Sequence, residues 1–560
     1  MRFIIFILLF FPLGITAQVE KYWVFFTDKD GVEFDPYSYF DQKAIERRVK
    51  ENIDLYDLSD FPLKETYIIE MEQHCSGISG RSRWFNAVAC FATKEQIDTL
   101  RKFPFVSRID AMTHGEAVLS GMENTIPDFD SFDKQLMIDQ TESMQYSLFH
   151  TKGLTGKGVR IAVFDGGYKG FTADNSFKRL IDNNQIRATY DFVLKKRFVF
   201  SFHNHGSHVM SCLAGVYENL QMGCAIDAQF LLARTEQVLS ENKIEEENWV
   251  ASLEWADKNG ADIINSSLGY TDRFYFRSEM DGQTSMISKA ANMAAYKGIL
   301  VVNSAGNEGG SYWEIVAAPA DAESVLTIGG INPRTRLHSD FSSYGPTSDK
   351  RMKPNLAAFG EAIGSSAEKR EVATGTSFSS PLVAGFAACV KQLHPEWTVQ
   401  KLFSELEKSG NLYPYFDYAH GYGIPQASYF LDSIKNVMTP TIRFSYDVES
   451  DNISIEFIKA NLQDSILSHI PNDSLLTITD HNLAMDSLIS NQVNRRRYVY
   501  VHGQGEDGVL DFYEVYEGKE MSGITLRANW SQSQILRAHY NGFTIEKRVS
   551  EIILNKEDED

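Results

Sequence analysis

Four short segments carry side chains that could do chemistry together. The stretch "VATGTSFSSPLVAGFAACV", residues 372–390, sets Ser377 among small residues just ahead of an apolar run. A serine in that position has two readings. Its hydroxyl can cap the free amides of a helix start, or it can attack a carbonyl. Attack needs three further groups: a base for the hydroxyl proton, a group that orients the base, and a donor for the oxyanion. Candidates lie elsewhere in the chain. Asp165 follows the apolar "VRIAVF", His205 stands 40 residues later in "HNHGSHVMSCLAG", and Asn307 sits in the glycine-flanked turn "VVNSAGNEGG". Each is ordinary alone, since Asp often ends a strand and Asn tolerates turn conformations. The amide of Asn307 could serve as the oxyanion donor. His203, His205 and His208 could suggest metal ligands, but they lack the HExxH arrangement of two histidines and a glutamate on a helix, so no metal site is read.

These residues need elements that bring them together. From about residue 140, apolar runs ("VRIAVFD", "DIINSSLG", "GILVVNSAG") alternate with helical segments such as "WVASLEWADKNG". That alternation predicts a parallel sheet covered by helices on both faces. Ligands of such sheets sit at the carboxyl ends of the strands, where Asp165 and Asn307 stand. Residues 18–118 read as a compact α+β module, with strand-like "YWVFF", "ETYIIEM" and "RWFNAVACFA" and a helix opened by the capping box Thr93/Gln96. Residues 438–560 read as a small β-sandwich, from "IRFSYDV", "ISIEF", "SGITLRANW" and "GFTIEKRVSEIIL".

Composition limits the function classes. A chain of 560 residues with 43% hydrophobic content can bury a sizeable core in two to four domains. A formal net charge of -21 disfavours a phosphate backbone as partner, so no nucleic acid is expected. The one basic cluster, Arg495 to Arg497, precedes the alternating "YVYVHG" and reads as the guard of a strand edge. At the amino terminus, Arg2, the apolar "FIIFILLFFPLGI" and Thr16-Ala17 read as an export signal over 1–17. The run is shorter than the roughly 20 residues of a membrane-spanning helix, so no transmembrane anchor is expected. The five cysteines exclude a dense disulfide scaffold. Cys75 could bridge to Cys90, Cys212 and Cys224 could bridge or stay as buried thiols, and Cys389 reads as a core residue.

Taken in order, Asp165 in "DGG", His205 in "HGSH", Asn307 in "SAGNEG" and Ser377 in "GTSFSSP" resemble the subtilisin-like serine proteases, the subtilases. The order Asp, His, Ser is that family's, and the likeness extends over about 140–430 through "TGKGVRIAVFD", "INSSLG", "FSSYGP", "KPNLAAFG" and "GYGIPQA". The resemblance implies an α/β fold and a catalytic triad. Ser377 would be the nucleophile, His205 the general base and Asp165 its orienter, with Asn307 and the Ser377 amide forming the oxyanion hole. Cap and nucleophile would be one residue, with Pro381 in an early helical turn, and His208 would be structural. Ser267, Leu268 and Gly269 would form one edge of the substrate cleft, and Ser304, Ala305 and Gly306 would also line it. Two departures stand out: Gly166 where the family has Ser or Thr, and Phe359 where it has proline.

The segment "RWFNAVACFATKEQIDTLRKFPFVSRID" resembles a subtilase propeptide, which assists folding and then blocks the cleft; an adhesive module is the competing view. The expected organisation is a signal peptide (1–17), a propeptide (18–118), a catalytic domain (119–437) and a C-terminal β domain (438–560). Processing is expected between about 112 and 140. The chain so read is a monomeric serine endopeptidase, secreted, periplasmic or at the cell surface. It acts on protein or peptide substrates and has its own propeptide as intramolecular inhibitor. No cofactor is required for the chemistry, although the family often binds structural calcium. The alternative is a catalytically silent, propeptide-bound interaction protein. One specificity element is flagged: Glu246, in "IEEENW", is either part of a solvated acidic helix start or an acidic subsite favouring Lys or Arg about four residues before the scissile bond.

Overall fold

A computed structural model describes residues 18–112, 118–119, 122–125, 131–236, 245–271, 275–431, 439–458, 497–518, 523–527 and 530–554. The expected signal segment, Arg495 and part of the expected processing region lie outside them. No helix among the described residues is long and apolar enough to cross a membrane.

The centre is a seven-stranded sheet, in spatial order Leu356–Phe359, Val325–Ile331, Leu300–Ser304, Ile263–Ser266, Arg160–Asp165, Gln229–Arg234 and Ile186–Asp191, with every pairing parallel. Side chains alternate across a strand, so each strand feeds two cores. Ile161 and Val163 pack with Val209, Leu213, Leu382 and Phe386 of the helices His205–Ala214 and Thr376–Leu393. Ala162 and Phe164 pack with Trp249, Leu253 and Ala290 of the helices Glu245–Lys258 and Met286–Tyr296 on the other face. Strands buried on both sides must be apolar at nearly every position, as "RIAVF" is. The predicted doubly covered parallel sheet is therefore present. Its first strand borders both the third and the fourth, which makes the carboxyl end of Arg160–Asp165 a topological switch point.

The amino-terminal module is an antiparallel sheet in the order Gly77–Ser82, Ala87–Ala92, Glu20–Phe26, Val106–Ala111. Val24 and Phe26 face its own helices, while Trp23 and Phe25 join the core around Trp249 and Leu253. The module thus docks on the helix face opposite Ser377. "ETYIIEM" is a helix, Glu65–Glu72, and not a strand. Its buried residues, Ile68 and Met71, are three apart, a helical spacing that outweighs the β-branched composition. The helix Lys94–Leu100 starts with the expected capping box.

Charge adds to this docking. Arg48 contacts both carboxylate oxygens of Asp257 at 2.8 and 2.6 Å and also Asp60 at 3.3 Å. Arg47 pairs with the same Asp257, Lys297 reaches Asp60 at 3.0 Å, and Lys21 pairs with Glu247 at 2.7 Å. Glu247 approaches so closely that a Cβ on Gly80 would lie 2.5 Å from its carboxyl carbon. Glu254 accepts from the Ser82 hydroxyl and from the amides of Arg83 and Trp84 at 2.5, 3.1 and 3.2 Å.

The carboxyl-terminal region forms two antiparallel sheets, Ile442–Asp447, Asn452–Phe457 and Gly523–Thr525 against Leu510–Glu517, Tyr498–Gln504, Ile535–Tyr540 and Phe543–Arg548. Their shared core makes the expected sandwich. Two local expectations fail. Tyr498–Gln504 is an interior strand, so Arg497 guards no edge. "VSEIIL" closes as a helix, with Val549 and Ile552 three apart on its buried side. The sandwich rests on the catalytic layer, where buried Tyr415 stacks on His502 at 4.9 Å and the Leu510 amide donates to the Tyr418 hydroxyl at 3.2 Å.

Candidate active site

Asp165 is the last residue of the first sheet strand and is fully buried. Its carboxylate accepts from the Gly166 amide at 2.7 Å and faces His205 Nδ1 at 3.0 and 2.9 Å. At Gly166, where the family pattern has a hydroxyl side chain, this backbone amide contacts the carboxylate. His205 opens its helix, and the His205 amide donates to His203 Nδ1 at 3.1 Å. His208 points away, toward Glu371 at 3.3 Å. Among the described residues no three His, Cys, Asp or Glu side chains group as metal ligands.

Ser377 lies one residue inside the helix Thr376–Leu393, whose N-cap is Gly375 with no side-chain capping bond. The cap reading of Ser377 is thereby corrected: its hydroxyl donates to the Ser267 carbonyl at 3.3 Å. The ring of its neighbour Phe378 lies 5.4 Å from the His205 ring. Pro381 stands inside the helix that begins at Thr376, past the opening residues whose amides have no partner in the helix. Phe359, the second departure from the family pattern, offers its carbonyl to the Ser379 hydroxyl at 3.0 Å.

The Asn307 side chain is held from one end. Its carbonyl oxygen accepts from the Thr376 amide and the Thr376 hydroxyl, both at 2.9 Å. With Oδ1 taken by two donors, the Nδ2 amide group is turned away from Thr376. Thr376 Oγ1 also accepts the Gly306 amide at 3.2 Å. Gly306 has φ +109°, and a Cβ there would lie 2.8 Å from Ser343 Oγ, so the bend into Asn307 requires glycine. Ser304 ends the preceding strand and Ala305 follows it; the Ala305 amide donates to the Ile328 carbonyl and its own carbonyl accepts the Ala317 amide. Sequence reasoning missed Thr376, which has no motif beyond its place beside the serine.

Leu268–Gly269 forms a short edge strand beyond the sheet. Val118–Leu119 pairs with it antiparallel, Leu119 opposite Leu268 and Val118 opposite Gly269. The expected cleft edge is therefore occupied by chain that follows the amino-terminal module. Glu245, Glu246 and Glu247 are buried, 4 to 7% exposed, which corrects the solvated helix start. Glu246 accepts from the Tyr275 hydroxyl, and burial raises its carboxyl pKa. Next to it, Glu236 accepts from the Tyr270 hydroxyl at 2.8 Å; burial, with Glu245 alongside, raises that carboxyl well above its ordinary range. All five cysteines are free thiols, and Cys389 is in the core as expected.

Comparison with known proteins agrees with this layout. Residues 156–423 match the family model described as "Subtilase family", and residues 21–124 match "Peptidase S8 propeptide domain, Bacteroidota". Subtilisin BL of Lederbergia lenta is 28% identical over 263 residues, 46% of this chain and 86% of that protein. Subtilisin NAT of Bacillus subtilis subsp. natto is 26% identical over 335 residues, 58% of this chain and 76% of that protein. M-protease of Shouchella clausii is 26% identical over 318 residues, 56% and 71% of the two chains. With both domains matched in the order in which they stack, this chain belongs to the subtilase family of serine endopeptidases and carries the family's propeptide ahead of its protease domain.

Proposed function

We propose that the protein is a secreted endopeptidase that hydrolyses peptide bonds through a triad of Asp165, His205 and Ser377 and an acyl-enzyme. The observation that carries this reading is the buried Asp165–His205 pair, with carboxylate and Nδ1 2.9 Å apart, at the strand end beside the Ser377 helix. Asp165 fixes the tautomer with the proton on Nδ1, which leaves Nε2 to take the Ser377 proton. Ser377 Oγ bonds to the substrate carbonyl carbon. The oxyanion is met by the Asn307 amide and the Ser377 backbone N–H at the positive end of its helix. His205 then hands the proton to the leaving amine, and water, deprotonated by His205, releases the acid and restores Ser377. Ser267 to Gly269 would pair with the bound peptide as an added strand, with Ser304 to Gly306 nearby. Subtilases need no cofactor for this chemistry, and no calcium role is derived from the described residues.

Labelling with a fluorophosphonate tests the proposal: the mature protein is modified at Ser377 and the Ser377→Ala variant is not. A protein freed of its propeptide that takes no label, with Asp165, His205 and Ser377 intact, rejects it. That outcome would favour the second reading, a silent propeptide-bound interaction protein, which draws support from the buried Arg48–Asp257 contacts that hold the module in place.

A further inference from the structure

Two helices from distant parts of the chain end at one cavity. Gln42–Lys50 belongs to the amino-terminal module, and Thr376–Leu393 is the helix that carries Ser377. A lysine near a helix carboxyl end is ordinary, because the dipole there is negative. Here the two lysines meet across the seam between module and catalytic layer. Lys50 Nζ donates to the Trp397 carbonyl at 2.9 Å, and Lys391 Nζ donates to the same oxygen at 3.1 Å. The two amines also lie within hydrogen-bond reach of each other, and Lys391 is only 8% exposed. Burial, and next the Lys50 ammonium, hold the Lys391 amine below its ordinary pKa. The carboxylates around them are engaged elsewhere. Asp262 pairs with Lys43 at 2.7 Å and accepts the Arg160 amide at 2.8 Å. Glu46 accepts from the Gln42 side chain at 3.1 Å, Arg47 already pairs with Asp257, and Glu51, 3.4 Å from Lys50, has both oxygens on the Val399 amide. Neither Lys391 nor Lys157, exposed at the rim, makes an ion pair among the described residues. The cavity measures about 220 Å³. Organic ligands take roughly 300–1,000 Å³, so its size favours a small ion.

We propose that this cavity binds a small tetrahedral oxyanion, sulfate or inorganic phosphate, between Lys50 and Lys391, and that the bound ion fastens the amino-terminal module to the protease domain. A lysine ammonium carries three N–H groups, so each of the two keeps donors beyond the one given to Trp397. A dianion accepts from both at once and replaces their mutual repulsion by two charge-assisted hydrogen bonds. Lys157 at the rim supplies a third cation. Lys50 comes from the module and the other two lysines from the protease domain, so the full set exists only while the two are joined. An ion that binds the joined form alone opposes its separation. Lys391 stands on the Ser377 helix but about 20 Å further along its axis, so no step of peptide hydrolysis passes through this site.

The test titrates the full-length Ser377→Ala chain with millimolar sulfate, with chloride holding the ionic strength constant. Calorimetry should show saturable binding, and at saturation the amino-terminal module should resist added trypsin for longer. Lys391→Met and Lys50→Met, placed in the same chain, exchange an ammonium for an apolar side chain of similar length and should each weaken binding about 10-fold or more. Lys157→Met, at the exposed rim, tests the same point without touching buried packing and should also weaken it. Lys547→Met, on the last strand of the sandwich, should leave it unchanged. Sulfate also stabilises proteins generally by exclusion from their surface. A thermal shift of equal size in the parent chain and in all three cavity variants, or binding that never saturates, would therefore reject the site. Tighter binding of glycerol 3-phosphate than of inorganic phosphate would reject the free ion as occupant. Unchanged trypsin susceptibility at saturating sulfate would overturn the fastening role.

Discussion

Ser267 and Ser377 exchange hydrogen bonds: the Ser267 hydroxyl donates to the Ser377 carbonyl at 2.9 Å, and the Ser377 hydroxyl donates to the Ser267 carbonyl at 3.3 Å. In a regular helix the Ser377 carbonyl would receive the amide of residue 381. That residue is Pro381, which has no N–H. The proline therefore leaves an acceptor that the Ser267 hydroxyl fills, and the backbone of Ser377, the proposed nucleophile, is tied to the short strand that begins at Leu268.

Ser267→Ala removes this tie and keeps the Ser267 carbonyl. One neutral hydrogen bond is worth about 0.5–1.5 kcal/mol, so kcat is expected to fall roughly 2- to 10-fold with KM little changed. Burst titration of active sites beside steady-state kinetics checks it. A variant with wild-type kcat would show that the tie does not position the nucleophile.

Asn307 has its Oδ1 pinned by Thr376, so two substitutions separate donation from orientation. Asn307→Leu deletes the proposed oxyanion donor and should lower kcat about 10²- to 10³-fold, the size known for this loss in subtilisin. Thr376→Val keeps the shape and the backbone amide but loses the hydroxyl. The lost hydroxyl serves both Asn307 and the Gly306 amide, so kcat should fall about 10-fold or more, each bond being worth about 0.5–1.5 kcal/mol. Equal losses in the two variants would contradict the division of roles.

Much of this site was legible in the sequence because its residues follow apolar strands in a fixed order: Asp165 after "VRIAVF", Asn307 after "GILVVNSAG". The parallel sheet was legible for the same reason, since strands buried on both faces have no polar alternation. What was not legible depends on distant contacts. Ser377 looks like a cap until Gly375 is seen to occupy that position. Thr376 gains its role only from the fold's approach of residue 307. Glu245 to Glu247 could be read only as a solvated helix start or an acidic subsite because nothing local announces Lys21, Ser79 and Tyr275. In "ETYIIEM" the three-residue spacing of Ile68 and Met71 becomes telling only once the fold buries those two side chains.

The buried contacts of Arg48 should govern how firmly the propeptide is held. Arg48→Met removes the cation shared by Asp257 and Asp60 but leaves Arg47 on the first and Lys297 on the second, so the loss should stay below the about 3–5 kcal/mol of a fully broken buried pair. Introduced into the full-length Ser377→Ala chain, it should lower the melting temperature and expose the amino-terminal module to added trypsin. Asp257→Asn should act in the same direction. Unchanged resistance to trypsin in both would mean that the apolar contacts of Trp23 and Phe25 are sufficient.

Three histidines where the sandwich meets the catalytic layer set a pH limit. Burial, with Arg537 nearby, pushes the His502 imidazole down to about 4; burial does the same to His539; burial and then His420 bring His338 to about 4. His502 Nδ1 faces the Phe416 carbonyl, His539 Nδ1 faces Thr544 Oγ1, and Asp417, which pairs with His420, is the nearby carboxylate. Unfolded, each ring titrates near 6.5. The native state thus binds fewer protons between about pH 6.5 and 4, and stability is complete above 6.5 and falls as pH drops through that window. Each histidine can account for up to about 3 kcal/mol. Calorimetry of the full-length chain at pH 7.0 and 4.5 should show the sandwich transition moving down by several degrees at the lower pH. His502→Gln should shrink that shift, because the uncharged side chain cannot take up the proton. A sandwich transition at the same temperature at both pH values would rule out these histidines as the limit.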